Sequence, residues 1–361
     1  MKKIHQTNKD KYLYGKWIHL DHINPLLKKY KSIFNIREIG RSFLNKPINS
    51  ITLGKGKIKI LMWTQMHGNE ATATKVVFDL LKLFNNPNCP QSYTDILNQC
   101  TLKIIPILNP DGAEAYTRVN AQNIDLNRDA VSLEALESQL LRKELEHFKP
   151  NFCFNLHDQR NIYSVGLTQE TSTIAFLSPA TEITRSLTPE RIKAMGVIVK
   201  MYQALKADIP KNTAIYNDEF YPNATGDNFQ KDGYCTILIE AGHFKDDYER
   251  EKVRYFYFKA LLTGLLSISQ NDLGTVNEYI KIPQNDTKYL DILYLNVYLK
   301  KEESYKRTAV GLVFEEFIEK GGLKRHLKYK EISEISHYGA NTVKDVKGLK
   351  IEYLNELSLI V

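Results

Sequence analysis

Several nearly continuous apolar runs, each ending at a polar residue, restrict the fold of this chain most strongly. Runs of this kind cover 57–65, 101–110, 152–157 and 234–242. An almost unbroken apolar run is typical of a strand buried on both faces of a sheet. Stretches with helical spacing follow these runs, at about 70–85, 132–147, 189–207 and 246–267. Buried strands alternating with amphipathic helices predict an α/β domain with a mixed, mostly parallel sheet.

The C-terminal part of the chain has a different pattern. Residues 268–280 interrupt the alternation, and the chain beyond them contains short strand-like runs such as 289–299 and 308–317. We therefore predict a catalytic domain over 1–270 and a small β-rich domain over 281–361.

The composition is that of an ordinary globular protein, with 43% hydrophobic and 25% charged residues. The net charge of +7 is scattered, and no compact basic cluster interleaves with aromatic residues, so we predict no nucleic-acid partner. No apolar run approaches the roughly 20 residues of a membrane helix, and no apolar core follows the basic N-terminus. These patterns predict a cytoplasmic protein without a membrane partner. The four cysteines lack CxxC spacing, which favours buried free thiols.

Three polar residues next to the apolar runs form a candidate metal site. His67 and Glu70 lie three residues apart where the run 57–65 gives way to a helix, and His157 ends the run 152–157. Open α/β sheets bind ligands at the carboxyl ends of their strands. Two histidines and a glutamate are a ligand set of hydrolytic zinc sites that leave a position open for water. A single histidine after a strand is usually structural, so the joint occurrence carries this prediction.

A fourth strand end provides a candidate general base. Glu240 ends the apolar run CTILIE, where a carboxylate would be partly desolvated and beside a cation. Such a group is suited to taking a proton from a metal-bound water. Taken alone, a glutamate at a strand end is most often solvated.

A loop rich in Arg, Asn and Asp follows the run 101–110. Arg118 and Arg128 could bind a carboxylate through bidentate hydrogen bonds, or one of them could polarise a scissile carbonyl. The alternative is a solvated loop with local Asn and Asp turns.

These motifs together resemble the zinc carboxypeptidases of the M14 type and their succinylglutamate desuccinylase and aspartoacylase relatives. The resemblance covers about residues 34–267. It rests on His67-Gly68-Asn69-Glu70, on Asn109-Pro110-Asp111-Gly112, on Arg118 with Asp125-Leu126-Asn127-Arg128, on His157 and on Glu240. It implies a three-layer α/β/α sandwich around a mixed, mostly parallel sheet.

The resemblance also implies a role for each matched residue. One zinc ion would bind His67, Glu70 and His157. Glu240 would activate the zinc water and pass its proton to the leaving amine, and Arg118 would stabilise the oxyanion. Asn127 and Arg128 would hold the terminal carboxylate of the substrate.

Two further assignments remain open at this stage. The family's carboxypeptidases use a mobile tyrosine to cover the substrate, and here Tyr216 and Tyr221 are both candidates, with Tyr221 preferred; either could instead pack on the sheet edge. Asp227 lies near the family's specificity position, where an acid would favour a basic or amino-bearing group. Asp227 could equally be a turn residue.

Three hypotheses of function follow from the sequence. The first is a metallocarboxypeptidase that removes the C-terminal residue of a peptide, including cell-wall peptides. The second is an amidohydrolase that deacylates an N-acyl amino acid, since Ile239-Glu240-Ala241-Gly242-His243 and the β-rich C-terminal part are closer to the deacylases. The third is a catalytically silent binding module. The intact ligand set and Glu240 argue against the third.

Overall fold

The computed structural model describes residues 1–332 and 335–360. Residues 333, 334 and 361 of the predicted C-terminal domain lie outside this description. In chain order the helices are α1 Lys2–Asn8, α2 Leu20–Tyr30, α3 Thr72–Phe84, α4 Gln91–Gln99, α5 Pro110–Ala115, α6 Leu136–Phe148, α7 Pro189–Leu205, α8 Thr225–Lys231, α9 Glu251–Gln270 and α10 Val276–Tyr279. The strands are β1 Asn35–Arg41, β2 Pro47–Gly54, β3 Ile58–Thr64, β4 Cys100–Ile105, β5 Phe152–Asp158, β6 Ser164–Val165, β7 Ile174–Leu177, β8 Thr213–Ile215, β9 Cys235–Ala241, β10 Asn285–Asp286, β11 Tyr289–Lys301, β12 Ser304–Glu319, β13 Gly322–Ile332, β14 Gly339–Asp345 and β15 Lys350–Ile351.

The larger sheet has eight strands in the order β1-β2-β4-β3-β5-β9-β7-β8. Its centre is parallel, because β4, β3, β5 and β9 pair side by side in the same direction. Towards the edges, β1 and β2 run antiparallel to their neighbours, and β7 runs antiparallel to β9 but parallel to β8. The mixed, mostly parallel sheet predicted from the sequence is confirmed.

Two hydrophobic cores cover the two faces of this sheet. In β3, Ile60 and Met62 pack into the larger core with α3, α7 and α9. Leu61 and Trp63 of the same strand pack into a smaller core with α6 and α8. Side chains alternate between the faces of a strand, so the unbroken apolar run fills both cores at once. The three-layer α/β/α sandwich is therefore confirmed.

Some predicted boundaries differ from the structure. The run 101–110 was expected to be one strand, but β4 ends at Ile105. Pro106 has no N–H for the ladder, and Pro110 occupies the first turn of α5 with Asn109 as its cap. Residues 91–99, where no helix was expected, form α4.

The C-terminal part of the chain forms a second sheet of β11 to β15, in which β11 and β12 are long strands rather than short ones. The separate β-rich region is confirmed, while the domain limits of 270 and 281 stay a prediction. A short pair of β6 with β10 connects this region to the α/β part. Among the described residues, no helix is long and apolar enough to cross a membrane. Cys100, Cys153 and Cys235 are buried and unpaired, and Cys89 is half-buried and unpaired.

Candidate active site

The carboxyl ends of β3, β5 and β9 bring the sequence-predicted residues to one edge of the sheet. These strands are parallel neighbours, so their ends lie side by side. His157 on β5 pairs in register with Glu240 on β9. His67 follows β3 after a two-residue connection through Gln65 and Met66. The hydrogen-bond ladder of the sheet thus sets the spacing of these three side chains.

A tight turn between β3 and α3 positions His67 and Glu70. The backbone N–H of Glu70 donates to the carbonyl of His67 at 3.1 Å. Gly68 lies against the backbone of the α5 turn, where an added Cβ would lie 1.9 Å from the carbonyl carbon of Gly112. Glycine at position 68 is therefore required by this close approach between two loops.

His67, Glu70 and His157 converge in a buried cluster. One carboxylate oxygen of Glu70 lies 2.8 Å from Nδ1 of His67, and the other lies 2.7 Å from Nδ1 of His157. One ligand atom from each residue lies within 4.8 Å of the others. This is the group that the sequence predicted as metal ligands.

The charges of the cluster depend on each other. Burial would raise the pKa of Glu70, but the two histidines outweigh burial and hold that pKa far below its usual range. Burial would lower the pKa of His67, but Glu70 and Asp125 raise it. Burial lowers the pKa of His157. These shifts favour the ionised carboxylate of Glu70 and the neutral imidazole of His157, the forms in which the two groups bind a metal, whereas His67 would have to give up its proton to do so.

The donor set fits a divalent cation. Imidazole nitrogens and a carboxylate are ligands of hydrolytic zinc. Both oxygens of Glu70 and both Nδ1 atoms point at the same small space, and a cation there would satisfy all of these lone pairs at once.

Asp125 holds the other ring nitrogen of His67, at 3.0 Å from Nε2. Burial would raise the pKa of Asp125, but His67 and Arg118 lower it far below its usual range. Carboxylates in this position fix the tautomer and orientation of a metal-binding histidine. Asp125 was predicted only as part of the loop motif, because its contact with His67 spans 58 positions and has no local signal in the sequence.

Glu240 ends β9 with one carboxylate oxygen buried and without a hydrogen-bond partner among the described residues. Burial, followed by the charges of Glu70 and Asp158, raises its pKa well above the usual range. A nearby cation would favour the ionised form of this carboxyl group, which is the form that accepts a proton.

Arg118 lies beside the cluster. Its Nε donates to Asp125 at 2.9 Å, and its Nη1 lies 3.3 Å from Nδ1 of His67 and 3.7 Å from Glu70. About half of its side chain (48%) is exposed. The guanidinium can therefore reach a ligand bound next to the histidines.

Asn127 and Arg128 lie on the short 3₁₀ turn after Asp125 and line the same cavity. The side-chain oxygen of Asn127 accepts the backbone N–H of Thr225 at 3.2 Å, which ties the turn to α8. Arg128 is exposed and stacks over the ring of Tyr221, with 5.5 Å to the ring centroid. No carboxylate of the described residues pairs with Arg128, so it is available to an anionic ligand.

Both candidate tyrosines line the cavity, in different environments. Tyr221 is 46% exposed, and its hydroxyl donates to Glu219 at 3.1 Å. Tyr216 is half-buried against Tyr163, and burial together with the charge of Glu240 raises its pKa. Tyr221 thus lies near Arg128, and Tyr216 lies near Glu240.

Asp227 lies in the first turn of α8, buried to 5% exposure, and accepts the backbone N–H of Tyr221 at 3.2 Å. Burial raises its pKa to about 6. Asp227 borders the cavity, and it also has the backbone-bonding role of a turn residue.

One cavity of about 800 Å³ is lined by most of these side chains, including His67, Glu70 and Glu240, while His157 and Asp125 lie behind its lining residues. Its lining also includes Lys16 near the N-terminus, Tyr116 after α5 and Phe314 and Glu316 from β12. None of these four was predicted from the sequence, because they come from segments far apart in the chain and carry no local motif.

Known proteins resemble this chain in sequence and in fold. Residues 20–182 match the sequence model of the zinc carboxypeptidase family. Over these residues the chain is similar to the zinc carboxypeptidases. The matched residues of this zinc carboxypeptidase-like chain include His67, Glu70 and His157, whereas Glu240 lies beyond them.

Individual relatives are distant. Carboxypeptidase 2 of Trichophyton tonsurans is 25% identical over 159 residues, which is 42% of this chain and only 28% of the fungal protein. The metallo-carboxypeptidase of Burkholderia cenocepacia has a similar structure, with a TM-score of 0.55 at 16% identity over 70% of this chain and 69% of that one. Bovine thrombin-activatable fibrinolysis inhibitor, solved with a tick carboxypeptidase inhibitor, has a TM-score of 0.54 at 14% identity, covering 72% of this chain and 97% of that one. These structures establish the carboxypeptidase fold.

Proposed function

We propose that this chain is a zinc-dependent carboxypeptidase that hydrolyses the C-terminal amide bond of a peptide, including peptides of the cell wall. The observation that carries the proposal is the common cavity. His67 and Glu70 of the His₂Glu ligand set, Glu240 with its unpartnered buried carboxylate oxygen, and the arginine-bearing loop all border it, and His157 contacts Glu70 at 2.7 Å. A hydrolase that acts beside a carboxylate needs these three parts.

His67, Glu70 and His157 would hold the zinc ion. Bound zinc supplies a Lewis acid for the scissile carbonyl and lowers the pKa of a water molecule. Asp125 would keep His67 oriented through Nε2.

The remaining residues would position the substrate and move the proton. Arg128, which has no carboxylate partner among the described residues, and Asn127 would bind the terminal carboxylate, because guanidinium and carboxylate form paired hydrogen bonds. Arg118 would donate to the carbonyl oxygen as negative charge develops on it. Glu240 would take a proton from the attacking water and return it to the leaving nitrogen, since it lines the cavity and has a carboxylate oxygen without a hydrogen-bond partner among the described residues.

Tyr221 and Asp227 would act on the residue that is released from the substrate. Tyr221 would close over the residue held by Arg128, since its ring already stacks on that guanidinium. Asp227, when ionised, would favour a basic side chain on the released residue.

The test is a rate comparison between two substrate classes on zinc-loaded protein: N-blocked dipeptides with a free C-terminus, and N-acyl amino acids. We expect hydrolysis of the dipeptides and a loss of about 10²–10⁴ in kcat for Glu240→Gln. Glu114→Gln, an exposed carboxylate paired with Lys46, is the matched control and should leave kcat unchanged. Deacylation without peptide turnover would replace the proposal by an amidohydrolase, and equal rates for Glu240→Gln and wild type would refute the mechanism.

A further inference from the structure

The C-terminal sheet takes part in the active-site cavity. Residues 313–316 of β12 all line it. Phe314 and Glu316 are two positions apart, so their side chains project from the same face of the strand, and we call these two residues the C-terminal wall. The wall therefore borders the same cavity as His67 and Glu70.

The backbone at Phe314 is fixed from two other segments. Its N–H donates to Asp291 on β11 at 2.7 Å, and Asn161, four residues after His157, donates to the same carboxylate at 3.4 Å. The ring of Tyr248 meets the ring of Phe314 edge-on at 5.5 Å between centroids. The wall is thus joined to the loop that follows the third metal ligand.

Glu316 is fixed more firmly. Its carboxylate accepts the hydroxyl of Tyr116 at 2.8 Å, pairs with the buried Lys16 and pairs with Arg325 at 3.0 Å. All these partners are on the protein, so Glu316 is not available to a cationic substrate. The C-terminal wall therefore contributes shape to the cavity and not a free charge.

The wall and the carboxylate-binding loop are separate groups of residues. Among the described residues, no hydrogen bond, ion pair or ring contact joins Phe314 or Glu316 to Asn127, Arg128 or Tyr221. The wall is linked to the loop after His157, because Phe314 and Asn161 both bind Asp291. Arg128 lies on a different loop, whose Asp125 contacts His67. For a substrate held at Arg128 with its scissile bond at the cluster, the wall would be a border of the same cavity for the N-terminal side.

We propose that the C-terminal wall limits the length of substrate on the N-terminal side of the scissile bond, so that the enzyme acts on short peptides and not on the termini of proteins. This inference rests on the proposed function. A cavity of 800 Å³ lies within the range of about 300–1,000 Å³ that buries a drug-sized ligand. A peptide of about three residues is a ligand of that size.

The experiment measures kcat/KM for N-acetylated peptides of two to eight residues that share the same two C-terminal residues. We expect a fall of at least about tenfold beyond three or four residues, because a clash with a packed wall raises the barrier for the longer chain only. Phe314→Ala should move this fall to longer peptides, and Phe314→Trp should move it to shorter ones, each with little change for the dipeptide.

Phe317 on the same strand provides matched controls. It is 37% exposed and does not line the cavity, so Phe317→Ala and Phe317→Trp should leave the length profile unchanged. If Phe314→Ala fails to fold, the Phe314→Trp profile still decides the question. Equal kcat/KM for all peptide lengths would overturn the length limit and leave the proposed function intact. The same holds if neither Phe314 substitution changes the dependence of kcat/KM on peptide length. No turnover of any peptide would instead overturn the proposed function.

Discussion

Asp125 holds Nε2 of His67 at 3.0 Å, while Nδ1 of the same ring faces Glu70 at 2.8 Å. One imidazole is therefore fixed on both sides, and its metal-facing nitrogen is determined by the carboxylate behind it.

We expect Asp125→Asn to weaken zinc binding about 10- to 100-fold, as losses of such supporting carboxylates do. Competition titration against a chromophoric chelator measures the affinity directly. Asp129→Asn is the control, since Asp129 caps the same loop through Ser132 and Ala135 and has no contact with His67. It should lower stability and leave zinc affinity unchanged. Equal zinc affinity for Asp125→Asn and wild type would show that Asp125 does not orient the ligand.

Gly68→Ala should disturb the metal cluster through the backbone. The new Cβ would lie 1.9 Å from the carbonyl carbon of Gly112, so the turn that carries His67 and Glu70 must shift. We expect zinc affinity to fall by more than about tenfold, since ligand positions matter to within about 0.5 Å. Gly233→Ala also strains a backbone, with φ at +88°, but has open space around it. It should lower the melting temperature without changing zinc affinity, and the same zinc loss in both variants would contradict the argument.

Glu316→Gln should destabilise the folded chain by about 3–5 kcal/mol, because it leaves the buried Lys16 without its partner charge. Chemical denaturation measures the change. The neighbouring Glu315→Gln is the control: Glu315 pairs with His326 and Lys328 at a surface where its side chain is 40% exposed, so its loss should cost less than about 1 kcal/mol. Similar losses for the two variants would show that the buried pair adds nothing to stability.

The effect of Glu316 also has a pH dependence. Burial would raise its pKa, but Lys16 and the hydrogen bonds from Lys16 and Tyr116 outweigh burial and lower that pKa to about 2. A lowered folded-state pKa stabilises the fold above the unfolded value of about 4.3 and loses this contribution as the pH falls towards 2. The stability difference between wild type and Glu316→Gln should therefore be constant above about pH 5 and shrink below it. A difference that stays constant down to pH 3 would contradict the lowered pKa.

Asp227 should make substrate preference depend on pH. Burial raises its pKa to about 6, so the side chain is neutral at pH 5 and ionised at pH 7. If its charge selects the released residue, the ratio of kcat/KM for lysine-ended over leucine-ended peptides should rise between these pH values. Asp227→Asn should give a low ratio at both pH 5 and pH 7. A wild-type ratio that does not change with pH would show that Asp227 only stabilises the turn and does not select the substrate. Because the pKa is raised, ionisation of Asp227 also costs stability, so wild type should lose stability as the pH rises from about 4 through 6, and Asp227→Asn should not.

The parts of the site that follow local rules could be predicted from the sequence. Trp63 and its neighbours in β3 form an apolar run because both faces of the strand are covered, and the first polar side chain after such a run lies at the sheet edge. His157 and Glu240 obey the same rule, and their neighbouring positions follow from parallel strands.

Other features depend on long-range packing and could not be predicted. Asp125 reaches His67 across 58 positions, and Tyr116 reaches Glu316 across 200. The residues around an acid that makes such a long-range contact do not differ in sequence from those around an acid exposed to solvent. The predicted strand end at 110 was a different kind of error. β4 ends at Ile105, and the sequence itself shows that Pro106 lacks the N–H that a strand pairing would need.

The ion pair between Lys16 and Glu316 joins positions 300 residues apart. Closing a loop of that length carries an entropy cost that is not recovered until both ends are in place, so contacts of this kind form late in folding. The eight-stranded sheet can assemble its metal ligands before β12 docks, but the cavity is complete only afterwards. During refolding, zinc capture should therefore precede the length selectivity of the active enzyme. During synthesis on the ribosome, β12 emerges only after every strand of the eight-stranded sheet.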